Sequence, residues 1–172
     1  HVANDIFNDS NFPNLNGDLL INCLESFKMP PGRGEIFSLN KFKIIDDSYN
    51  ANPESVKAAL DYLSGYKENR KFFVFGDMKE LGANEEIFHK KIGQYAVEKA
   101  DILLTVGKLA KNAQSNSNNF ALSLHFNDNF SVLEKLNELL TDGDIVMIKV
   151  SRSMQLDQLI NELKNLKWII IT

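Results

Sequence analysis

Ile44 to Pro53 reads IIDDSYNANP, and the change of character along these residues decides the fold. Lys41 to Ile45 is an apolar, β-prone run that ends abruptly in Asp46 and Asp47, as a buried strand does where it leaves a sheet. The residues from Ser48 to Ala51 are turn-forming. Asn52 and Pro53 then open a helix, because an Asn side chain accepts from the orphan amides of the first turn and Pro fits the first helical position. Val56, Ala59, Leu60 and Leu63 follow at i, i+3, i+4 and i+7 as one apolar stripe, and Gly65 supplies a stop. The unit is strand, polar loop, helix.

The same alternation recurs outward from this unit. Upstream, Glu35 to Leu39 and Lys41 to Ile45 are two β-prone runs separated by Asn40, which predicts a hairpin or a bulged pair. Downstream, Lys71 to Phe75 predicts a strand ending in Gly76 and Asp77. Asn84 to Lys99 predicts a helix with Phe88, Ile92, Tyr95 and Ala96 on one face, and Asp101 to Val106 a further strand. Gly107 to Ala113 predicts a short helix, and Gln114 to Asn119 a polar loop with nothing to bury. Ala121 to Phe126 returns to strand. Phe130 to Leu140 is helical, capped by Asp128 or Asn129 and stopped by Gly143. Asp144 to Val150 is the most apolar strand and is expected at the centre, since a parallel strand covered on both faces need not alternate. Leu156, Leu159, Ile160 and Leu163 define a last helix, and Trp168 to Ile171 leaves room for an edge strand. The class is α/β: a Rossmann-like open, mostly parallel sheet flanked by helices. At the other end, Leu19, Leu20, Cys23, Leu24 and Phe27 give one short amphipathic helix, which Pro30 and Pro31 end. The chain is thus expected to divide into residues 1–30 and a domain of residues 31–172.

Composition narrows the function classes. A chain of 172 residues with 44% hydrophobic residues has enough material for one substantial core. A net charge of -4 without a basic stripe argues against non-specific nucleic-acid binding, which needs cations to displace counterions. Cys23 is the single cysteine, which fits a reducing compartment, and no His/Cys cluster has zinc spacing. Apolar runs fall short of the ~20 residues that cross a bilayer, so no membrane insertion is expected and the location expected is cytoplasmic. The first residue is His1 rather than Met, which suggests a piece cut or processed from something larger.

Four clusters carry candidate chemistry. In a parallel sheet the loops at the carboxyl ends of strands are where ligands bind, and Asp46, Asp47, Asn50 and Asn52 offer acceptors and donors in such a loop. The same residues are also ordinary turn formers that bond their own backbone. Gly32, Arg33 and Gly34 set a guanidinium between two permissive backbone positions, which suits either a hinge that swings an arginine onto phosphate or a purine face, or a solvated linker. Gly76, Asp77 and Met78 follow a strand on the same edge and read equally well as a turn. Lys149, Ser151, Arg152 and Ser153 end the last long strand beside helix amides, a natural setting for a carboxylate or phosphate, or for two capping serines and solvated cations. Tyr49 is read as a packing residue and not as an acid or base. His89, with no ligand partner at metal spacing, is read as a surface or packing residue. Neither GxxxxGK[ST] nor GxGxxG occurs, so the chain lacks the loops that cradle a triphosphate or dinucleotide.

The string DDSYNANP, with PGRGE at Pro31 to Glu35, GDM at Gly76 to Met78 and SRSM at Ser151 to Met154, resembles the carboxyl-terminal domain of the Mur ligases, closest to the MurF type. The resemblance runs from about Pro31 to Leu166. It implies part of an ATP-dependent amide ligase of peptidoglycan synthesis that activates the carboxylate of UDP-N-acetylmuramoyl-tripeptide as an acyl phosphate, which D-alanyl-D-alanine then attacks. It implies nucleotide contacts by Arg33 and Asp47, with Asn50 and Asn52 on the base or orienting the loop, and acceptor contacts by Lys149, Ser151 and Arg152. No catalytic residue and no metal ligand is expected in this piece. ATP and magnesium would sit mainly in a preceding central domain, of which residues 1–30 would be a remnant, and the piece alone would be inactive. One departure stands out: the family commonly reads KGSRS, and this chain has Val150 in place of the glycine. The rival readings are another Mur or folylpolyglutamate-type ligase domain, which tends to carry a DxAHxP-like loop instead, and a stand-alone Rossmann-like module that binds a nucleotide or small anion.

Overall fold

The computed structural model describes Ile21, Asn22, Ser26, residues 30–39, 42–151 and Ile160. The chain divides into two units, His1–Pro30 and Pro31–Thr172, and the architecture below belongs to the second. Its strands are β1 (Glu35–Leu39), β2 (Phe42–Asp47), β3 (Lys71–Gly76), β4 (Ile102–Val106), β5 (Leu122–Phe126) and β6 (Ile145–Lys149). Among the described residues these α-helices accompany them: α1 (Pro53–Ser64), α2 (Glu85–Ala96) and α3 (Asn129–Leu139). The six strands form one sheet in the order β1-β2-β6-β3-β4-β5. The β1–β2 pair is the antiparallel hairpin the sequence leads one to expect, and every other pairing is parallel.

Burial on both sides explains why these strands read as continuous apolar runs. In β3, Phe73 and Phe75 point into one cluster with Val56, Leu60 and Leu63 of α1 and Ile92 and Ala96 of α2. Phe72 and Val74 point into the other, with Val132, Leu133 and Leu136 of α3. Ile145 to Lys149 is buried throughout, because β6 lies between β2 and β3 as its composition predicts.

The helix caps follow the sequence closely. Asn52 caps α1 in a reciprocal box with Ser55, with Pro53 opening the helix, and Asp128 caps α3 by accepting from the Ser131 amide at 2.8 Å. The main departure is Ala110–Asn119, a 3-10 segment that includes the residues expected to form a polar loop. Side-chain hydrogen bonds replace the missing apolar burial. Gln114 Nε2 donates to Leu124 O and to Thr105 Oγ1, both at 2.9 Å, and Ser123 Oγ donates to Gln114 Oε1 at 2.6 Å. Of the last expected helix, Ile160 is described, and it is helical and buried in the second cluster. The edge strand at Trp168 to Ile171 and the Leu19 to Phe27 helix, Cys23 included, fall on residues that are wholly or mostly outside those described.

Candidate functional site

The sheet order itself locates a crevice. The connections leaving β2 and β3 carry α1 and α2 into the first cluster, whereas the chain leaving β6 reaches the second cluster at Ile160. Neighbouring strands whose connections leave to opposite faces open a gap at their carboxyl ends, which is where open α/β sheets take ligands. The loops at this gap begin at Asp47, Gly76 and Val150.

Lys149 ties two of these loops together. It is the last residue of β6 and is only 3% exposed. Its Nζ lies 2.7 Å from Asp47 Oδ2 and donates to the Asn50 carbonyl at 2.6 Å. The two residues are direct neighbours in the parallel β2–β6 register. A buried ammonium needs such partners, since leaving it unpaired costs several kcal/mol. Lys149 thereby fixes one oxygen of Asp47 and the shape of the loop. Of its three donors, one remains beyond these two contacts.

Asp46, on the same loop, faces inward and is 5% exposed. Its Oδ1 accepts from Ser48 N at 3.1 Å and from Ser48 Oγ at 2.6 Å, an arrangement that folds the loop back on itself. Asn50 Oδ1 accepts from the Ala51 amide at 2.9 Å and Asn52 Oδ1 from the Ser55 amide at 2.8 Å. Both side-chain oxygens thus accept from the backbone, and among the described residues neither Nδ2 group has a partner.

Arg33 is placed by its glycines differently from a free hinge. Gly32 and Gly34 have φ of 73° and 78°, the left-handed region that glycine enters at low cost. The turn they make is laced to the Asp46–Tyr49 loop by two backbone hydrogen bonds: Gly34 N donates to Asp46 O and Tyr49 N to Gly32 O, each at 2.8 Å. The Arg33 guanidinium carbon lies 3.9 Å from the centroid of the Tyr49 ring. Arg33 and Asp47 thus belong to one framework. Tyr49, read as a packing residue, packs on a charge rather than in the core, and no periodic signal links the two positions in the sequence.

Gly76 and Val150 resolve the departure from the KGSRS pattern. A Cβ on Gly76 would meet Val150 Cγ1 at 2.5 Å, so the valine side chain occupies the space that the glycine of β3 leaves empty. Val150 is fully buried. One residue further on, Ser151 is 4% exposed and its Oγ has no hydrogen-bond partner among the described residues. A buried hydroxyl left unpaired costs roughly 1–3 kcal/mol, which makes it a standing acceptor and donor at the mouth of the crevice. Arg152 and Ser153 lie outside the described residues.

The Gly76–Met78 turn is structural in its contacts. Asp77 Oδ1 accepts from Leu109 N and Ala110 N, both at 2.8 Å, and so caps the 3-10 segment from a distance. Met78 N donates to His89 Nε2 at 2.9 Å, which puts the imidazole proton on Nδ1, where it donates to Glu85 O at 2.6 Å. Burial pushes the His89 pKa down, opposed by the Glu85 carbonyl and by Asp77. His89 is a neutral internal bracket, as its lack of ligand partners suggests. Among the described residues, no group of three or more His, Cys, Asp or Glu is suited to hold a metal ion, and no helix is long and apolar enough to cross a membrane.

A mostly parallel sheet with helices on both faces defines an α/β domain of the Rossmann-like class, and the family profile "Mur ligase, glutamate ligase domain" matches residues 32–152. The chain belongs to that family. Among curated proteins it is similar to UDP-N-acetylmuramoyl-tripeptide--D-alanyl-D-alanine ligase of Bacillus subtilis, 38% identical over 128 residues, covering 70% of this chain and 27% of the relative. The Escherichia coli protein of the same name is 32% identical over 148 residues, covering 82% of this chain and 31% of the relative. This chain therefore spans less than a third of these relatives. Among solved structures, a MurF from Acinetobacter baumannii superposes with a TM-score of 0.79 at 25% identity, over 88% of this chain and 34% of that one. The MurF ligase of Thermotoga maritima in complex with ADP shares the fold, with a TM-score of 0.71 at 23% identity over 86% of this chain and 36% of that one.

Proposed function

We propose that this domain is the carboxyl-terminal part of a cytoplasmic, ATP-dependent ligase that joins D-alanyl-D-alanine to UDP-N-acetylmuramoyl-tripeptide, and that it supplies the lid over the nucleotide and part of the acceptor pocket. The observation that carries the reading is the convergence of Arg33, Asp47, Lys149 and the unpartnered, buried Ser151 hydroxyl on one edge of the sheet, within a chain whose curated relatives bear that ligase's name. Arg33 and Asp47 meet the phosphates and ribose, with the Nδ2 groups of Asn50 and Asn52 turned to the base. Ser151 and Arg152 meet the carboxylate of the dipeptide, and the remaining donor of Lys149 serves the same pocket. In the reaction the dipeptide amine attacks the acyl carbon, the acyl-phosphate bond breaks, phosphate leaves, and the amine proton is lost. Holding the amine in line and keeping water out are what these residues contribute. Magnesium and the phosphoryl-transfer machinery are assigned to the part of the longer protein outside this chain, so the chain alone turns over no ATP.

Arg33→Lys and Arg152→Lys in the full-length ligase test the assignment. Each keeps the charge and removes the planar fork. A charge-assisted hydrogen bond is worth about 1.5–3 kcal/mol, so Arg152→Lys is expected to raise the KM for D-alanyl-D-alanine roughly tenfold to a hundredfold and leave that for ATP unchanged. Arg33→Lys is expected to do the reverse. An unchanged dipeptide KM for Arg152→Lys removes the acceptor assignment.

A further inference from the structure

We infer that Tyr49 is a positioning residue for Arg33: its ring, lying under the guanidinium carbon, holds the arginine in the orientation from which its donors reach the nucleotide. The inference rests on the proposed nucleotide contact of Arg33 and adds to it the residue that aims that contact. Four observations carry it. The Arg33 guanidinium carbon lies 3.9 Å from the Tyr49 ring centroid, within the ~6 Å at which a cation is attracted to an aromatic face. Among the described residues Arg33 has no carboxylate partner, so the ring is what orients it. The backbones of the two residues are fastened by the Tyr49 N to Gly32 O hydrogen bond of 2.8 Å, which keeps ring and arginine in register. A Cβ on Gly32 would lie 3.0 Å from Tyr49 N and 3.2 Å from Ser48 Oγ, so the glycine is what lets the turn approach the ring's own loop so closely.

The geometry also explains why an aromatic is useful there. A cation–π contact uses the face of the guanidinium and leaves all five N–H groups in its plane uncommitted. A carboxylate partner would orient the arginine equally well but would consume those donors and neutralise the charge that attracts phosphate. An unrestrained arginine would keep both but would lose its rotamer freedom on binding. Tyr49 avoids both penalties. Tyr49 is 38% exposed, so truncation leaves no large cavity in the core.

The test is steady-state kinetics of the full-length ligase with Tyr49→Phe, Tyr49→Trp, Tyr49→Leu, Arg33→Ala and the Arg33→Ala/Tyr49→Leu pair. An exposed cation–π contact corresponds to about twofold to fivefold in an equilibrium. Tyr49→Leu is therefore expected to raise the KM for ATP by that factor, with the dipeptide KM unmoved. Tyr49→Phe and Tyr49→Trp are expected to match the parent, and Tyr49→Leu is expected to have no further effect once Arg33 is Ala. If Tyr49→Phe is as impaired as Tyr49→Leu, the hydroxyl and not the ring matters, and the inference fails. A Tyr49→Leu effect that persists without Arg33 overturns it too, because the tyrosine then acts elsewhere. So does a full ATP response to Arg33→Ala beside a silent Tyr49→Leu, which leaves the arginine's role standing. An ATP KM untouched by Arg33→Ala removes the nucleotide reading of the arginine and the inference with it.

Discussion

His89 shows how one side chain can brace the turn at the carboxyl end of a strand. Its two ring nitrogens connect the turn after β3 to the first turn of α2, and both connections require the neutral imidazole with its proton on Nδ1. Protonating Nε2 would set an N–H against the Met78 amide inside the core. Burial accordingly holds the folded pKa below the ordinary 6.5, while Glu85 and Asp77 pull it up and Lys79 pushes it down. Because the unfolded chain takes up this proton at higher pH than the folded one, the stabilisation is complete above about pH 6.5. It is lost as pH falls through that value towards the folded pKa, at no more than about 1.4 kcal/mol per pH unit. His89→Gln retains an acceptor for Met78 and does not titrate. Urea unfolding between pH 7 and 5 is therefore expected to show a shallower acid decline for His89→Gln than for the parent. His125 is also shifted down, by burial and Lys111, and is common to both proteins, so the difference between them isolates His89. Coincident declines would show that His89 does not titrate across that window.

At the scale of elements, α1 links the site to the scaffold through Asn52, whose oxygen caps the helix while its amide faces out. These two duties are separable. Asn52→Ala is expected to lose about 1 kcal/mol of unfolding free energy, and Asn52→Ser, which retains a capping oxygen, to recover it. Only the nucleotide contact through Nδ2 would remain missing in the serine variant, worth one neutral hydrogen bond or roughly twofold to tenfold in the KM for ATP. A serine variant as unstable as the alanine one would refute the capping account. The helix was legible in advance because cap, proline, apolar stripe and glycine stop all agree locally, and β6 was legible as central because only a strand covered on both faces is apolar throughout. The 3-10 segment at Ala110–Asn119 was not, since what orders it is Asp77 and Gln114 reaching across to other elements, a signal with no period. The same holds for the site. Asp47, Lys149 and Ser151 stand out as polar residues at strand ends, but the Lys149–Asp47 tie depends on β2 lying beside β6, which local pattern does not contain, and the Tyr49–Arg33 contact on the exact register of the β1–β2 hairpin.

Across the whole domain, charge is buried at both ends of the sheet, and for different purposes. At the carboxyl ends Lys149 shapes a loop whose other groups are kept available. At the amino ends the carboxylate is enclosed: Arg70 Nε and Nη2 meet Asp144 Oδ1 and Oδ2 at 3.0 and 2.6 Å, and Nη2 also donates to the Leu139 carbonyl at 2.7 Å. Asp144 further accepts from the Thr141 amide at 2.7 Å, so one carboxylate closes the turn between α3 and β6 and joins it to the residue that opens β3. Both oxygens of the Asp144 carboxylate are taken up by the chain's own groups, which marks this end as scaffold. Asp144 is 3% exposed in its side chain and Arg70 41%, so removing the arginine strands a buried carboxylate whose former partner was partly screened. Arg70→Met is therefore expected to cost about 2 kcal/mol, below the 3–5 kcal/mol of a fully buried pair. The loss would be measured as a lower urea midpoint with an unchanged m-value. In the full-length ligase the same variant is expected to leave the KM values for ATP and D-alanyl-D-alanine within twofold of the parent, because the break lies at the opposite end of the strands from Asp47 and Ser151. A selective rise in either KM at full stability would mean that the two ends of the sheet are coupled, and the division of this fold into a scaffold end and a ligand end would not hold.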